Sequence, residues 1–336
     1  MNVPAGIPYL FFLPAALLLD RLLGDPPNRW HPLCLIGLWA NVLERRLCHG
    51  PDDVRLNCAG VLACAGVVLP CAVAVGGLVR LAEWLGGAGP AWAMAVLLVY
   101  VCLAPQGLCR HAARVAAPLR AGDVPAARAA VGMMVGRNTA TLDAPAVARA
   151  CVESVAENLT DGVCATLFWT AVGLCCGDYA MAAALAMAHR AANTLDALWG
   201  QRNARHARFG AACARFDDVL NLVPARLTLP IVALAARLTP GCDARAAWRV
   251  GWSDHAAHES PNSAWSEAAF AGALGLRLGG PAAYGERVRP HPWLGTGTEA
   301  ATPEHIDRAC RLMWRSALLF AAMTTGVAVW ANWPTL

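Results

Sequence analysis

Long apolar runs alternate along this chain with short segments dense in Arg, Asp, Glu and Asn. Uncharged runs cover Leu56 to Val79, Trp84 to Cys109 and Ser316 to Leu336, and each is long enough to cross about 30 Å of hydrocarbon as a helix. The run from Met1 to Leu19 reads as a weaker span holding Pro4, Pro8 and Pro14. It has no basic n-region and passes straight into Asp20 and Arg21, unlike a cleaved signal peptide. Two further runs look interrupted. Gly177-Asp178 splits 163–187 into pieces of about 15 and 10 residues, suited to a re-entrant or buried hairpin that does not cross fully. Pro224, Arg226 and Pro230 are expected to break the run from Val219 to Ala236 in the same manner.

Composition agrees with a bilayer. Hydrophobic residues make up 57% of 336 residues, mean hydropathy is +0.43, and only 15% are charged. All 27 basic residues are Arg, which excludes both a Walker-type lysine and a pyridoxal Schiff-base lysine. No complete G-x-G-x-x-G occurs, and Gly295-Thr-Gly297 stops short. The fourteen cysteines contain no C-x-x-C pair and lie mostly in apolar runs, as small hydrophobes do. The arginines concentrate in 20–57, 110–161, 188–218 and 237–315, leaving only Arg80 and Arg226 outside. The positive-inside rule places these four segments in the cytoplasm, with 56–109 as a transmembrane hairpin whose outer turn holds Arg80 and Glu83.

The candidate chemistry centres on GRNTATLDAPAVARACVESVAENLTDG, residues 136–162. Thr141 or Asp143 can cap a helix here, Pro145 fits a first turn, and Gly162 follows the end, which predicts a helix from about Ala144 to Leu159. Arg149, Glu153 and Glu157 then share one face. That spacing suits a solvated ladder of ion pairs. It equally suits a carboxylate pair facing Mg²⁺ and phosphate, with Asn158 and Asp161 beside it.

The remaining polar segments have bland local explanations next to functional ones. Asp20 and Asp25 flank a helix end closed by Gly24 and Pro26. Residues 110–135 read as one or two amphipathic helices without evident chemistry. Arg190, Asn193 and Asp196 recur every three residues on a helix. Asp217-Asp218 is expected to open the next helix as a cap, with Asn221 one turn on. In the long loop that follows, Ser260-Pro261-Asn262 makes a turn, Trp265 to Leu276 a short apolar helix, and Gly279-Gly280-Pro281 its end; His255 and His258 could ligate a metal or simply face solvent. Arg226 is either a snorkelling residue or part of a site. With no repeat and no detachable soluble segment, 1–336 reads as one membrane-embedded domain. It is an all-α, polytopic integral membrane protein with broken or re-entrant helices and a polar cytoplasmic face. Two function classes fit: an enzyme using Mg²⁺ and phosphate at the membrane surface, or a transporter of an anionic solute. The polar groups gather in the cytoplasmic segments and not in two symmetry-related spans, which favours the enzyme.

Six ordered strings carry a more specific signal: GDPPNRWHPLCLIG, VGRNTATLD, ESVAENLTDGVCATLFW, ANTLDALWG, RFDDVLNLVPARLT and HESPNSAWSEAAFAGALGLRLGGPAAYG. Together, from about Asp20 to Leu294, they resemble the adenosylcobinamide-phosphate synthase family of cobalamin biosynthesis. The resemblance implies an inner-membrane, multi-pass enzyme with a cytoplasmic active face. It implies ATP- and Mg²⁺-dependent joining of a propionate carboxylate of adenosylcobyric acid to (R)-1-amino-2-propanol or its O-phosphate. Membrane lipid and other late cobalamin-pathway membrane proteins are the expected partners, and nucleic acid is not. Asn138 stands where the family usually has Asp, which argues against an obligatory metal ligand there. Arg190 replaces a frequent Lys, and Glu259 and Ser266 stand where Pro is frequent. For amide formation the expected catalytic set is Glu153, Glu157, Asp161 and His258, with Glu157 and Asp161 as Mg²⁺ anchors. Arg137, Asn158, Asn193, Asp196, Asn221, Arg226 and Asn262 are the expected substrate or phosphate contacts, Arg137 and Arg226 because guanidinium suits bidentate oxygen recognition.

Overall fold

The computed structural model describes residues 7–27, 31–50, 53–200, 205–284 and 287–333. It is almost wholly helical, and the chain divides into two compact units. The first comprises Met1–Ala104, Ala165–Leu220 and Ala321–Leu336, and the second Pro105–Cys164 and Asn221–Phe320. Four helical stretches are long and apolar enough to cross a membrane: Asp53–Gly86, Ala88–Arg120, Ala211–Arg237 and Pro303–Ala331. The protein is an all-α polytopic membrane protein, as its apolar runs require.

In the first unit, α1 (Ile7–Leu23) ends at Gly24, whose φ of 69° closes the helix while its N–H donates to the Asp20 carbonyl at 2.8 Å. Then come α2 (Pro32–Leu47), α3 (Asp53–Gly86) and α4 (Ala88–Tyr100). Residues 101–104 form a turn that separates α4 from α5 (Pro105–Arg120) within the second apolar stretch. The run 163–187 is split where expected. α8 (Ala165–Cys175) and α9 (Tyr179–Trp199) form a hairpin around Gly177, with φ 71°, and Asp178, which caps α9 through the N–H groups of Ala180 and Met181. The hairpin returns the chain towards the end it came from. Its tip pairs Asp178 with Arg80 near the end of α3. α9 is the hub of the unit, packing on α2, α3, α4 and α8. Its alanine-rich face permits this: a Cβ on Gly173 of α8 would collide with the backbone of Ala182, so the two helices meet at small residues.

The expected break in 219–236 is absent. α10 (Ala211–Arg237) runs continuously through Pro224 and Pro230. Pro224 lacks an N–H, which frees the carbonyl of Leu220 one turn earlier, and the indole Nε1 of Trp169 on α8 donates to that carbonyl at 3.1 Å. The orphaned acceptor is satisfied and the helix continues. Asp217 and Asp218 consequently lie inside α10 and do not open it, Asp217 being buried. Trp169→Phe removes the donor and keeps the ring. It should cost about 1–3 kcal/mol in thermal unfolding in detergent; an unchanged transition would mean water satisfies Leu220 instead.

In the second unit, α5 and α6 (Val124–Val131) are the two amphipathic helices read from 110–135. α7 (Ala144–Asn158) starts where predicted, Asp143 accepting from the Ala146 N–H at 2.8 Å. It does not stop at Gly162. A π-helical turn, Leu159–Cys164, carries the helical run past Asp161-Gly162 into α8. Such an inserted turn re-aims the side chains on it and recurs at functional sites. After α10 come α11 (Ala244–Asp254) and α12 (Ser263–Leu274), packed face to face, α12 ending at Gly275 in the left-handed conformation. The long loop is not structureless: β1 (Leu278–Gly279), β2 (Ala282–Tyr284), β3 (Arg287–Arg289) and β4 (Trp293–Leu294) pair antiparallel as β1–β4 and β2–β3. α13 (Pro303–Ala331) closes the chain.

Candidate active site

One cavity of about 280 Å³ lies within the second unit, between α7, α12, the Met134–Arg137 segment and the β1–β4 clip. Each wall has a local cause. Ser154 Oγ donates to the Met134 carbonyl at 3.2 Å and pins the segment before Arg137 against α7. Glu153 is buried and fully engaged: one oxygen pairs with Arg137, and the other accepts the Gly279 N–H at 2.7 Å. Gly279 and Gly280 have φ of 78° and 80°, and a Cβ on Gly280 would run into the Trp293 ring. The Trp293 ring in turn has the guanidiniums of Arg277 and Arg149 at 4.6 and 5.2 Å from its centroid. Arg149 thus leaves the expected ladder; besides stacking, it donates to the Glu299 carbonyl at 3.0 Å.

Glu157, one turn beyond Glu153, lines the same cavity, and across from it stands Glu267 of α12. Burial raises the Glu157 carboxyl above its usual pKa, against the pull of Arg137. Burial raises Glu267 well above the usual range, and the charges of Glu157 and Asp161 push it further in the same direction. Glu157 and Glu267 thus repel each other across the cavity, with Arg137 as the counter-charge that acts on both. On the opposite rim His258 and His291 lie nearly parallel, ring centroids 6.3 Å apart, and the Ser260 N–H donates to His258 Nδ1 at 3.0 Å. Burial, with the charge of His258 next, lowers the His291 pKa, which keeps that ring neutral and able to accept a proton at pH 7.

The cavity therefore unites Arg137, Glu153, Glu157 and His258 of the expected residues. Asp161 sits on the π turn within electrostatic reach of Glu267. Asn158 turns back on its own helix, donating to the Ser154 carbonyl at 2.9 Å. Asn262 is buried at the start of α12, Asn221 is buried on α10, and Arg226 lies over the Trp265 ring at 5.4 Å; none of the three lines the cavity. Asn193 and Asp196 are on α9 in the first unit, Asn193 accepting from Arg190 at 2.9 Å. Asn138 caps a turn through the Ala140 N–H. Sequence reasoning passed over Glu267, His291 and the structural part of Gly279-Gly280. The signal for Glu267 was present: a single carboxylate in the otherwise uncharged SAWSEAAFAGAL has no reason to be buried unless it works. His291 had no comparable mark.

Among the described residues no three His, Cys, Asp or Glu side chains converge enough to hold a metal alone. Mg²⁺ does not need three. It keeps several waters and uses one or two carboxylates together with substrate phosphates. The hard oxygen donors of Glu157 and Glu267 fit that requirement, and a bound cation would offset the burial that raises both pKa values and the repulsion between the two carboxyls. Glu153 differs, because both its oxygens are taken. Glu153→Ala strips a buried partner from Arg137 and an acceptor from Gly279, and should lower stability by about 3–5 kcal/mol, read by thermal unfolding. A loss under about 1 kcal/mol, the range of an exposed pair, would show that the clamp is solvated.

Residues 13–313 match the family described as CobD/Cbib protein. The chain belongs to that family. Similar relatives are a cobalamin biosynthesis protein CobD of Klebsiella pneumoniae, 40% identical over 322 residues that cover 94% of this chain and 96% of the relative, and one of Chromobacterium violaceum, 41% identical over 322 residues, 95% and 96%. A cobalamin biosynthesis protein CbiB of Salmonella arizonae is 38% identical over 324 residues, 94% and 97%. No solved structure matches. Membership in the CobD/Cbib family places the chain in cobalamin biosynthesis.

Proposed function

We propose that the chain forms the amide bond between a propionate carboxylate of adenosylcobyric acid and (R)-1-amino-2-propanol or its O-phosphate, consuming ATP with Mg²⁺ at the cytoplasmic face of the inner membrane. The observation that carries this reading is the cavity in which Glu157, Glu267, Arg137 and two histidines converge. Condensing a carboxylate with an amine in water is unfavourable. The carboxylate oxygen must first displace ADP from the γ-phosphorus of ATP, giving an acyl phosphate. The amine nitrogen then attacks the acyl carbon, phosphate departs, and the nitrogen gives up a proton. Arg137 would bind the transferred phosphoryl oxygens, and neutral His291, with His258 beside it, would take the amine proton. Glu157 and Glu267, with Asp161 nearby, would hold Mg²⁺, which when bound supplies positive charge to the phosphates. The cavity is small beside a corrin, so only the reacting arm and the small amine would enter it, with the macrocycle outside.

Purified protein in nanodiscs, given adenosylcobyric acid, aminopropanol phosphate, ATP and Mg²⁺, should yield adenosylcobinamide phosphate with one nucleotide cleaved per product, and should stop on chelation. Hydroxylamine in place of the amine should give a hydroxamate at the same carboxyl. Absence of product and of nucleotide cleavage, with corrinoid uptake into liposomes, would replace the enzyme by a transporter. The cytoplasmic face is tested at Met133, which is 79% exposed. In a background lacking the native cysteines, Met133→Cys should react with an impermeant maleimide in inverted vesicles and not in intact cells; the reverse pattern would invert the topology.

A further inference from the structure

Helix α11 shows an unusual outward face. Arg245, Trp248, Arg249, Trp252 and Ser253 are all exposed, Trp248 at 47% and Trp252 at 59%. The two indoles are stacked, centroids 6.1 Å apart and 10° from parallel, on the same exposed side of the helix as Arg245 and Arg249. The inward face, by contrast, is locked. A Cβ on Gly251 would meet Leu229 and Ala269, and one on Gly272 of α12 would meet the Ala246 carbonyl. The chain also arrives here from a membrane-spanning candidate: α10 ends at Arg237, and α11 begins at Ala244. The connection is tied down, the Asp243 N–H donating to the Ala273 carbonyl at 2.9 Å and Arg308 to the Gly241 carbonyl at 3.1 Å. Exposed Leu234 and Leu238 at the end of α10 lead into the connection.

We propose that α11 lies in the lipid headgroup layer of the membrane that α10 crosses, with Trp248 and Trp252 among the upper acyl chains and Arg245 and Arg249 on anionic headgroups. Three observations favour lipid over another protein or a ligand. The face follows a span end within six residues, 238–243. Its composition, Trp beside Arg on an amphipathic helix, is that of interfacial helices, where an indole has one apolar and one wet edge. Its two cations stand one turn apart on the exposed side, where they can meet an anionic headgroup, with the Asp243 carboxylate at the start of the helix as a nearby counter-charge. The consequence concerns the cavity. Because α11 and α12 touch through glycines and alanines, α12 and its Glu267 cannot shift in depth independently of α11, and the cavity is held at headgroup level.

The test reads depth and not turnover, so it stands apart from the proposed reaction. Wild type and W248F/W252F are placed in vesicles of phosphatidylcholine and phosphatidylglycerol brominated near the headgroup end of the acyl chains. Wild type should lose a larger fraction of its tryptophan emission than the double variant, and aqueous iodide should reach the pair poorly. R245Q/R249Q should lose the dependence of that quenching on phosphatidylglycerol while keeping both indoles. Equal lipid quenching of wild type and W248F/W252F, with iodide quenching the pair freely, would put the face in water and end the proposal. Quenching of the pair by a corrinoid in detergent, without lipid quenching, would overturn it in favour of a macrocycle shelf.

Discussion

Glu267→Gln should abolish turnover while making the protein more stable at neutral pH. The two effects have one cause. Glu267 is 7% exposed, faces Glu157 across the cavity, and burial raises its pKa well above the usual carboxylate range. A carboxyl whose folded-state pKa is raised stabilises the fold only while protonated in both states. That contribution is complete below its unfolded value of about 4.3 and is lost as pH rises towards the folded value. At neutral pH the wild type carries the cost of a buried carboxyl that the neutral Gln does not. The melting temperature of the variant should exceed that of wild type at neutral pH, and the difference should vanish near about pH 4. Turnover should fall by about 10²–10⁴-fold if the carboxyl holds charge or moves a proton at the reacting atoms. Glu157→Gln should follow the same pattern, and Asp161→Asn, which removes a charge that pushes the Glu267 pKa up, should also lose activity. A Glu267→Gln protein with near-normal rates at saturating Mg²⁺ would return the pair to a structural role.

Gly280→Ala should disable the cavity without touching a charged group. Its φ of 80° is one that alanine adopts only under strain, worth about 1–3 kcal/mol. The added Cβ would also collide with the indole of Trp293. Relief requires the clip to move, and the clip is what holds the Gly279 N–H on Glu153 Oε1 at 2.7 Å. Displacing Glu153 releases Arg137, so a shift on the order of 1 Å here should lower kcat/KM by about 10²-fold with the carboxylates intact. Gly279→Ala should behave alike, because its Cβ would stand 2.5 Å from the Pro292 carbonyl oxygen. Gly275, also at positive φ but with open space around it, supplies the control: Gly275→Ala pays the backbone strain alone and should keep activity. If Gly280→Ala and Gly275→Ala behave identically, the collision with Trp293 has no functional consequence.

Local and one-dimensional features were legible before folding was considered. The apolar runs placed α3, the α4–α5 stretch and α13, because a helix that faces hydrocarbon must be apolar over its length whatever it packs against. The start of α7 was legible from Asp143 and Pro145, since capping is a contact between residues close in sequence. The split at Gly177-Asp178 was legible for the same reason. Where a distant residue decides, the reading failed. Pro224 looked like a helix breaker and is not, because Trp169 comes from another helix to take the freed carbonyl. Gly162 looked like a helix end and became part of a π turn buried in the fold.

The candidate site divides along the same line. Which residue types would be needed, carboxylates, Arg, and His on a polar segment between spans, followed from the sequence, as did the kinship carried by six ordered motifs. Which of them meet did not. Glu153 and Glu157 occupy equivalent positions one turn apart on one helix face, yet tertiary contacts make the first a saturated clamp between Arg137 and Gly279 and leave the second facing Glu267. Helical periodicity sets the direction in which a side chain leaves its own backbone. The guanidinium of Arg137 comes from 16 residues away, but whether the side chain also meets an amide N–H or a second carboxyl depends on segments more than 100 residues away, and only their packing brings that charge into the same low-dielectric space.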